Sequence, residues 1–145
     1  MNDALKQEFA ALVGKDNVME SESDRFSYAY DAAVLEPVMP ALVVRPESRE
    51  AMGKVVKLAN DNGLPLCVRG SGTNLSGGTI PKQGGIVVLT NALNKILEIN
   101  EADLYAIVEP GVITAKFAAE VAARGLFYPP DPGSQAVSTM CACCR

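Results

Sequence analysis

The sequence of 145 residues contains no histidine and no tryptophan. Without histidine there is no Ser-His-Asp or Cys-His catalysis within this chain and no His-ligated metal site. Whatever chemistry the chain takes part in must come from a bound cofactor or from another polypeptide. No apolar run approaches the ~20 residues that would span a bilayer, so no membrane span is expected. The 13 Lys and Arg residues are scattered and outnumbered by 17 Asp and Glu, and the net charge is −4. Nucleic-acid binding needs clustered basic residues, so it is excluded. Cysteines are few: Cys67 stands alone, while Cys141, Cys143 and Cys144 crowd the end. A disulfide framework would spread them, and structural zinc needs two spaced pairs, so neither disulfides nor metal are expected. The N-terminal MNDALKQEFAAL carries both charge signs and does not read as a secretory signal. The composition fits one compact domain of a soluble cytoplasmic protein.

What is present reads as alternating elements. Leu5, Phe9, Leu12 and Val13 share a face and predict a helix over 3–13, with Asp3 as cap and Gly14 as stop. Residues 15–40 read as irregular. ALVVR, 41–45, reads as a strand. A helix follows over 49–62, capped by Ser48, with Met52, Val55, Val56 and Ala59 as its apolar stripe and Asn62-Gly63 as its end. LPLCV, 64–68, is the next strand. Strand, helix, strand makes a βαβ unit with two parallel strands. A third strand is expected at 86–90, then a turn leading to ILEIN, and a strand over 103–112 broken by Pro110-Gly111. Thr114 is expected to cap a helix through Arg124, with Phe117 and Val121 inward. The expected organisation is an N-terminal helix and irregular segment over 1–40, a first subdomain over 41–100, and the beginning of a second over 101–139. The fold class is α+β, a small parallel βαβ subdomain followed by a mainly antiparallel one.

VRGSGTNLSGG, residues 68–78, leaves the carboxyl end of the second strand, where open α/β sheets bind ligands. Gly70, Gly72, Gly77 and Gly78 let the backbone approach a phosphate with no Cβ in the way, and successive N–H groups can converge on an anion. The hydroxyls of Ser71, Thr73 and Ser76 and the amide of Asn74 can add donors. A dinucleotide's pyrophosphate is a natural occupant, and a purely structural turn is the alternative. Two familiar cradles are excluded on detail. Leu75 stands where the third glycine of G-x-G-x-x-G would fall, and Lys82 is not preceded by the glycine of a Walker loop.

PALVVRPESREAMGKVVKLANDNGLPLCVRGSGTNLSGGTIP, together with IVVLTNALNKILEIN and FYPPDPGSQAVST, resembles the FAD-binding domain of the FAD-linked oxidases. These flavoproteins share the fold of vanillyl-alcohol oxidase and para-cresol methylhydroxylase. Within them the chain is most similar to the flavin subunit of bacterial glycolate oxidase and to D-lactate dehydrogenases. The likeness runs from about Phe26 to Thr139, with several motifs in order. It implies that Arg69 to Gly78 wrap the FAD pyrophosphate, with the amides of Gly70, Ser71, Gly72, Thr73 and Asn74 facing phosphate oxygens. Ser76 and Gly77 would lie on the ribityl and flavin side. Pro130, Asp131, Pro132, Gly133 and Ser134, with Ser138 and Thr139, match a second flavin-contacting segment. Tyr30-Asp31 matches a further family segment, to which a structural role is given. Plainer readings stand beside these: the proline run fixes a turn, Asp131 accepts a backbone N–H, and Arg69 is a solvated charge at a strand end.

The resemblance implies the FAD-binding portion of a 2-hydroxy-acid dehydrogenase or oxidase of the glycolate or D-lactate type. Electrons would pass to an iron–sulfur partner subunit or a quinone. Many relatives attach FAD through a histidine, so here the FAD would be non-covalent. After Thr139 the family continues with a glycine pair, a further flavin-contacting run and a substrate domain, whereas MCACCR stands here. Residues 140–145 are therefore expected to be an atypical, frayed cysteine-rich tail, such as a truncated or shifted reading frame would leave. The family's catalytic residues lie beyond it, so no catalytic residue is named and little turnover is expected of this chain alone. The alternatives are a flavin domain like that of the reductase that makes UDP-N-acetylmuramate, or a non-enzymatic nucleotide-binding module. Self-association through uncovered apolar surface is also expected.

Overall fold

The computed structural model describes residues 1–82 and 84–143. Helix α1 spans Asp3–Val13. Its cap is Asn2, whose side chain accepts from the Leu5 N–H at 2.9 Å, and Asp3 instead pairs with Lys6 one turn on. The expected Asp3 cap is thus displaced by one residue. Asn is as good a cap, and Asp3 in the first turn still favours the helix.

The stretch from Lys15 to Pro40, expected to be irregular, holds a 3₁₀ turn at Lys15–Asn17, strand β1 at Val18–Met19 and helix α2 at Glu22–Phe26. These are too short to show a hydrophobic period. Ser21 caps α2 by accepting from Asp24 N–H.

Strand β2 is Leu42–Val44, helix α3 Arg49–Asp61, strand β3 Leu66–Arg69 and strand β4 Ile86–Leu89. They form a sheet in the order β1-β2-β4-β3, with β2, β4 and β3 parallel and β1 antiparallel. The two strands of the βαβ unit are therefore parallel, and β4 lies between them. Side chains alternate across the sheet. Leu42, Val44, Ile86 and Val88 meet Phe9 and Val13 of α1 and Val55 and Ala59 of α3. On the opposite face Val43, Val87 and Leu89 pack with Met19, Tyr28 and Cys67. Burial on both faces explains why these strands read as unbroken apolar runs. Each such side chain contributes roughly 1.5–3 kcal/mol. Ser48 caps α3 as expected, but Val56 is exposed and falls outside the buried stripe. It lies one position round the helix from Val55, which takes the core-facing place.

Strand β5, Ile96–Asn100, and strand β6, Tyr105–Val108, pair antiparallel as a separate two-stranded sheet. β6 is shorter than expected because Pro110, which has no N–H to pair, follows closely. The hairpin straddles residue 100, so β5 pairs forward and takes no part in the first sheet. Helix α4, Thr114–Ala122, begins after Ile113. Thr114 is therefore its first residue, not its cap, and its hydroxyl bonds Ser138 O at 3.1 Å.

Residues 140–143, expected to fray, instead form the short helix α5, Met140–Cys143. Met140 is buried with Val112, Phe117 and Val121. Met140 N–H donates to Val112 O, and Cys141 N–H donates to Pro110 O, both at 2.8 Å. A methionine filling the gap beneath α4 has anchored the segment. Residues 144 and 145 of the expected tail lie outside the described residues. The whole is α+β, a parallel βαβ unit followed by an antiparallel hairpin and helix.

Candidate functional site

The glycine-rich loop leaves the carboxyl end of β3 beside a cleft of about 580 Å³. Gly70, Ser71, Gly72, Asn74 and Gly78 of the loop line it, together with residues of β3, Thr79 to Lys82 and Cys141. β3 is an edge strand. The cleft therefore sits against backbone that no neighbouring strand covers.

The loop's main chain is left open. Among the described residues, none of the N–H groups from Gly70 to Gly78 donates to a backbone or side-chain acceptor. The loop is exposed or half-buried throughout, so these donors are open to solvent or to a ligand. Two of the loop's carbonyls are used: Gly72 O accepts from Ala32 N–H at 3.2 Å, and Gly77 O from Ile80 N–H at 3.1 Å.

Side chains hold the loop from behind. Asp31, 9% exposed, accepts from Ala33 N–H at 2.8 Å, from Asn74 Nδ2 at 2.7 Å and from Thr79 Oγ1 at 3.2 Å. Burial pushes its carboxyl pKa up, but the bonds from Ala33, Asn74 and Thr79 outweigh this and leave it below the usual aspartate value. The Asn74 side-chain amide is thus spent on Asp31. Thr79 Oγ1 also lies 3.1 Å from Asn74 Oδ1.

Arg69 is the last residue of β3 and is 7% exposed, so it is not a solvated charge at the strand end. Its Nη1 donates to Tyr30 O at 2.6 Å, and its guanidinium lies 5.6 Å from the centre of the Tyr28 ring. Burial lowers its pKa, and nearby Asp31 raises it again. A guanidinium keeps its charge in proteins, so a buried cation sits beneath Gly72. A Cβ on Gly72, whose φ is +73°, would run into that guanidinium. Only glycine fits there.

The second motif meets the loop at one point. A Cβ on Gly70 would collide with Oγ1 of Thr139, which is 2% exposed and has no hydrogen-bond partner among the described residues. Ser138 is buried, its hydroxyl 3.1 Å from that of Thr114. Pro130, Asp131 and Gly133 are exposed, Pro132 and Ser134 are partly buried, and none of the five lines the cleft. Their local role is a turn, with Pro132 O accepting from Gln135 N–H and Ser134 O from Ser138 N–H. Thr73, Ser76 and Gly77 also lie off the cleft wall. Thr79, Cys67 and Cys141 were not expected at the site, and Asp31 was given no part in the loop. A lone Asp after two tyrosines was the available signal, but its partners lie more than 40 residues away.

These features suit a dinucleotide. Unspent amides are donors for diphosphate oxygens, the buried guanidinium supplies positive potential, and the missing Cβ atoms leave room for close approach.

The FAD binding domain family matches residues 40–143. The chain is 40% identical over 136 residues to the glycolate oxidase subunit GlcD of Bacillus subtilis, covering 94% of this chain and 29% of that protein. It is 32% identical to a D-lactate dehydrogenase of Anaerostipes hadrus, covering 72% of this chain and 22% of that one. Among solved structures it is similar to p-cresol methylhydroxylase with substrate bound, with a TM-score of 0.81, 25% identity, and coverage of 94% of this chain and 27% of that one. The chain thus spans well under a third of these proteins. Cradle, cleft and likeness agree: the chain belongs to the FAD-binding domain family, in the fold of the para-cresol methylhydroxylase type.

Proposed function

We propose that this chain is the FAD-binding portion of a flavoprotein oxidoreductase acting on a 2-hydroxy acid of the glycolate or D-lactate type. The run of unspent amides from Gly70 to Gly78, five of whose residues line the cleft beside a buried guanidinium, carries the reading. In it, Gly70, Ser71, Gly72, Thr73 and Asn74 hold the diphosphate through their N–H groups. Arg69 acts from below by charge, and Ser76 and Gly77 flank the ribityl chain. The Thr139 hydroxyl gains its missing partner from the cofactor. Ser138 keeps Thr139 in place, and Pro130, Asp131, Pro132, Gly133 and Ser134 approach the flavin from the second segment.

Bound FAD would supply acceptance of a hydride equivalent from the hydroxyl-bearing carbon, and the protein supplies placement and field. With no histidine in this chain, none of its own residues attaches FAD through a histidyl bond, and the proposed binding is non-covalent. The substrate domain, the electron acceptor, an iron–sulfur subunit included, and a cytoplasmic location complete the proposal. The name of the Bacillus subtilis relative, a subunit, is in keeping with a partner chain. No described helix is long and apolar enough to cross a membrane.

The test uses a longer natural protein carrying this domain, loaded with FAD and mixed anaerobically with glycolate, D-lactate or NADPH. Bleaching of the flavin by a hydroxy acid supports the reading. Bleaching by NADPH alone replaces it with a reductase of the UDP-N-acetylmuramate kind.

A further inference from the structure

The loop's outward face is open because its inward face is tied down, and the ties converge on one side chain. Asp31 comes from the segment before β2, yet it receives Asn74 Nδ2 at 2.7 Å and Thr79 Oγ1 at 3.2 Å. Two flanking bonds from the same segment complete the attachment, Ala32 N–H to Gly72 O at 3.2 Å and Arg69 Nη1 to Tyr30 O at 2.6 Å. Gly77 is covered by Leu35, against which a Cβ there would collide. Residues 30–35 thus form a backing plate for the cradle.

A carboxylate behind an anion site has the wrong sign for direct binding. Its charge is, however, absorbed locally, since it accepts from Ala33, Asn74 and Thr79, and the Arg69 guanidinium attached at Tyr30 lies nearby. Charge-assisted bonds of this kind are about twice as strong as neutral ones. They can hold a loop whose own amides make no internal bonds.

We propose that Asp31 is a positioning residue for the cofactor, a latch that holds the Gly70–Gly78 backbone with its N–H groups turned to the cleft. The proposal deepens the reading of this loop as a diphosphate cradle and rests on it. Asp31 does not touch the cofactor. It fixes Asn74 and Thr79 so that the ordering entropy of the loop is met on folding and not on binding.

The test compares FAD affinity, by quenching of flavin fluorescence, in the unaltered chain, in Asp31→Asn and in the exchanged pair Asp31→Asn with Asn74→Asp. An Asn at 31 keeps one acceptor oxygen and no charge where the donors of Ala33, Asn74 and Thr79 use two oxygens, so binding should weaken about tenfold or more. The exchange restores a donor facing a carboxylate, and affinity should return most of the way. A general loss of folding would not be rescued in this manner. Thr79→Val, which removes one donor with little change in shape, serves if Asp31→Asn does not unfold cooperatively, and its affinity should fall at least threefold. Unchanged affinity in Asp31→Asn, or in Thr79→Val where that variant stands in, overturns the latch. So does an exchanged pair no better than the single change. If the unaltered chain itself fails to bind FAD, it is the cradle reading that falls.

Discussion

At the residue scale, two glycines separate conformational cost from functional need. A Cβ on Gly53 in α3 meets nothing within 4 Å. Gly53→Ala should therefore stabilise the domain by about 0.5–1 kcal/mol, seen as a higher urea midpoint. A Cβ on Gly70 drives into Thr139, so Gly70→Ala should cost about 1–3 kcal/mol in the same measurement. Asp31 adds a pH signature. Its folded pKa is lowered from the ordinary 3.8, so its contribution is complete above that value and is lost as pH falls through the lower folded one. Asp31→Asn should thus be less stable than the unaltered chain at neutral pH, and the two should converge in acid. A gap that persists in acid would place the effect elsewhere. Glycines and the free loop were legible in the sequence because their spacing is local. Asp31 was not, because its partners Asn74 and Thr79 lie 43 and 48 residues away.

At the scale of elements, α1 is the clearest case of tertiary packing acting on a legible helix. Phe9 is fully buried against Val44, Val55 and Val88. Phe9→Ala should cost about 3–5 kcal/mol, measured by denaturant unfolding, and a loss below 1 kcal/mol would mean that α1 is not part of the cooperative core. Helices α1, α3 and α4 and strands β2 to β4 could be read from their apolar patterns, and the cap of α3 from Ser48, whereas the caps of α1 and α4 fell one residue earlier than expected. Strand β1 and helix α2 could not, since two and five residues carry no period. The order β1-β2-β4-β3 was also hidden, because a βαβ pattern gives direction and not adjacency. The helix at Met140–Cys143 was hidden for the same reason of length, although Met140 packs with Val112, Phe117 and Val121.

At the scale of the whole molecule, the two sheets are unequal. The first is covered on both faces, whereas the outer face of the β5–β6 hairpin leaves Tyr105 and Ile107 exposed, with Leu97 also open to solvent. The cleft beside the glycine-rich loop lies against β3 of the first sheet, and no residue of β5 or β6 lines it. The fold was legible as α+β with a flavin-type loop because its elements and glycines are patterned locally, whereas the placement of the second segment was not: Pro130 to Ser134 lie off the cleft wall, and Thr139 lies against Gly70. The central claim is that the unspent amides after β3 receive a flavin nucleotide. It is tested most directly by incubating the chain with FAD, desalting it and recording the visible absorbance. The account predicts a retained flavin band at close to one equivalent, and a colourless, folded protein would contradict it.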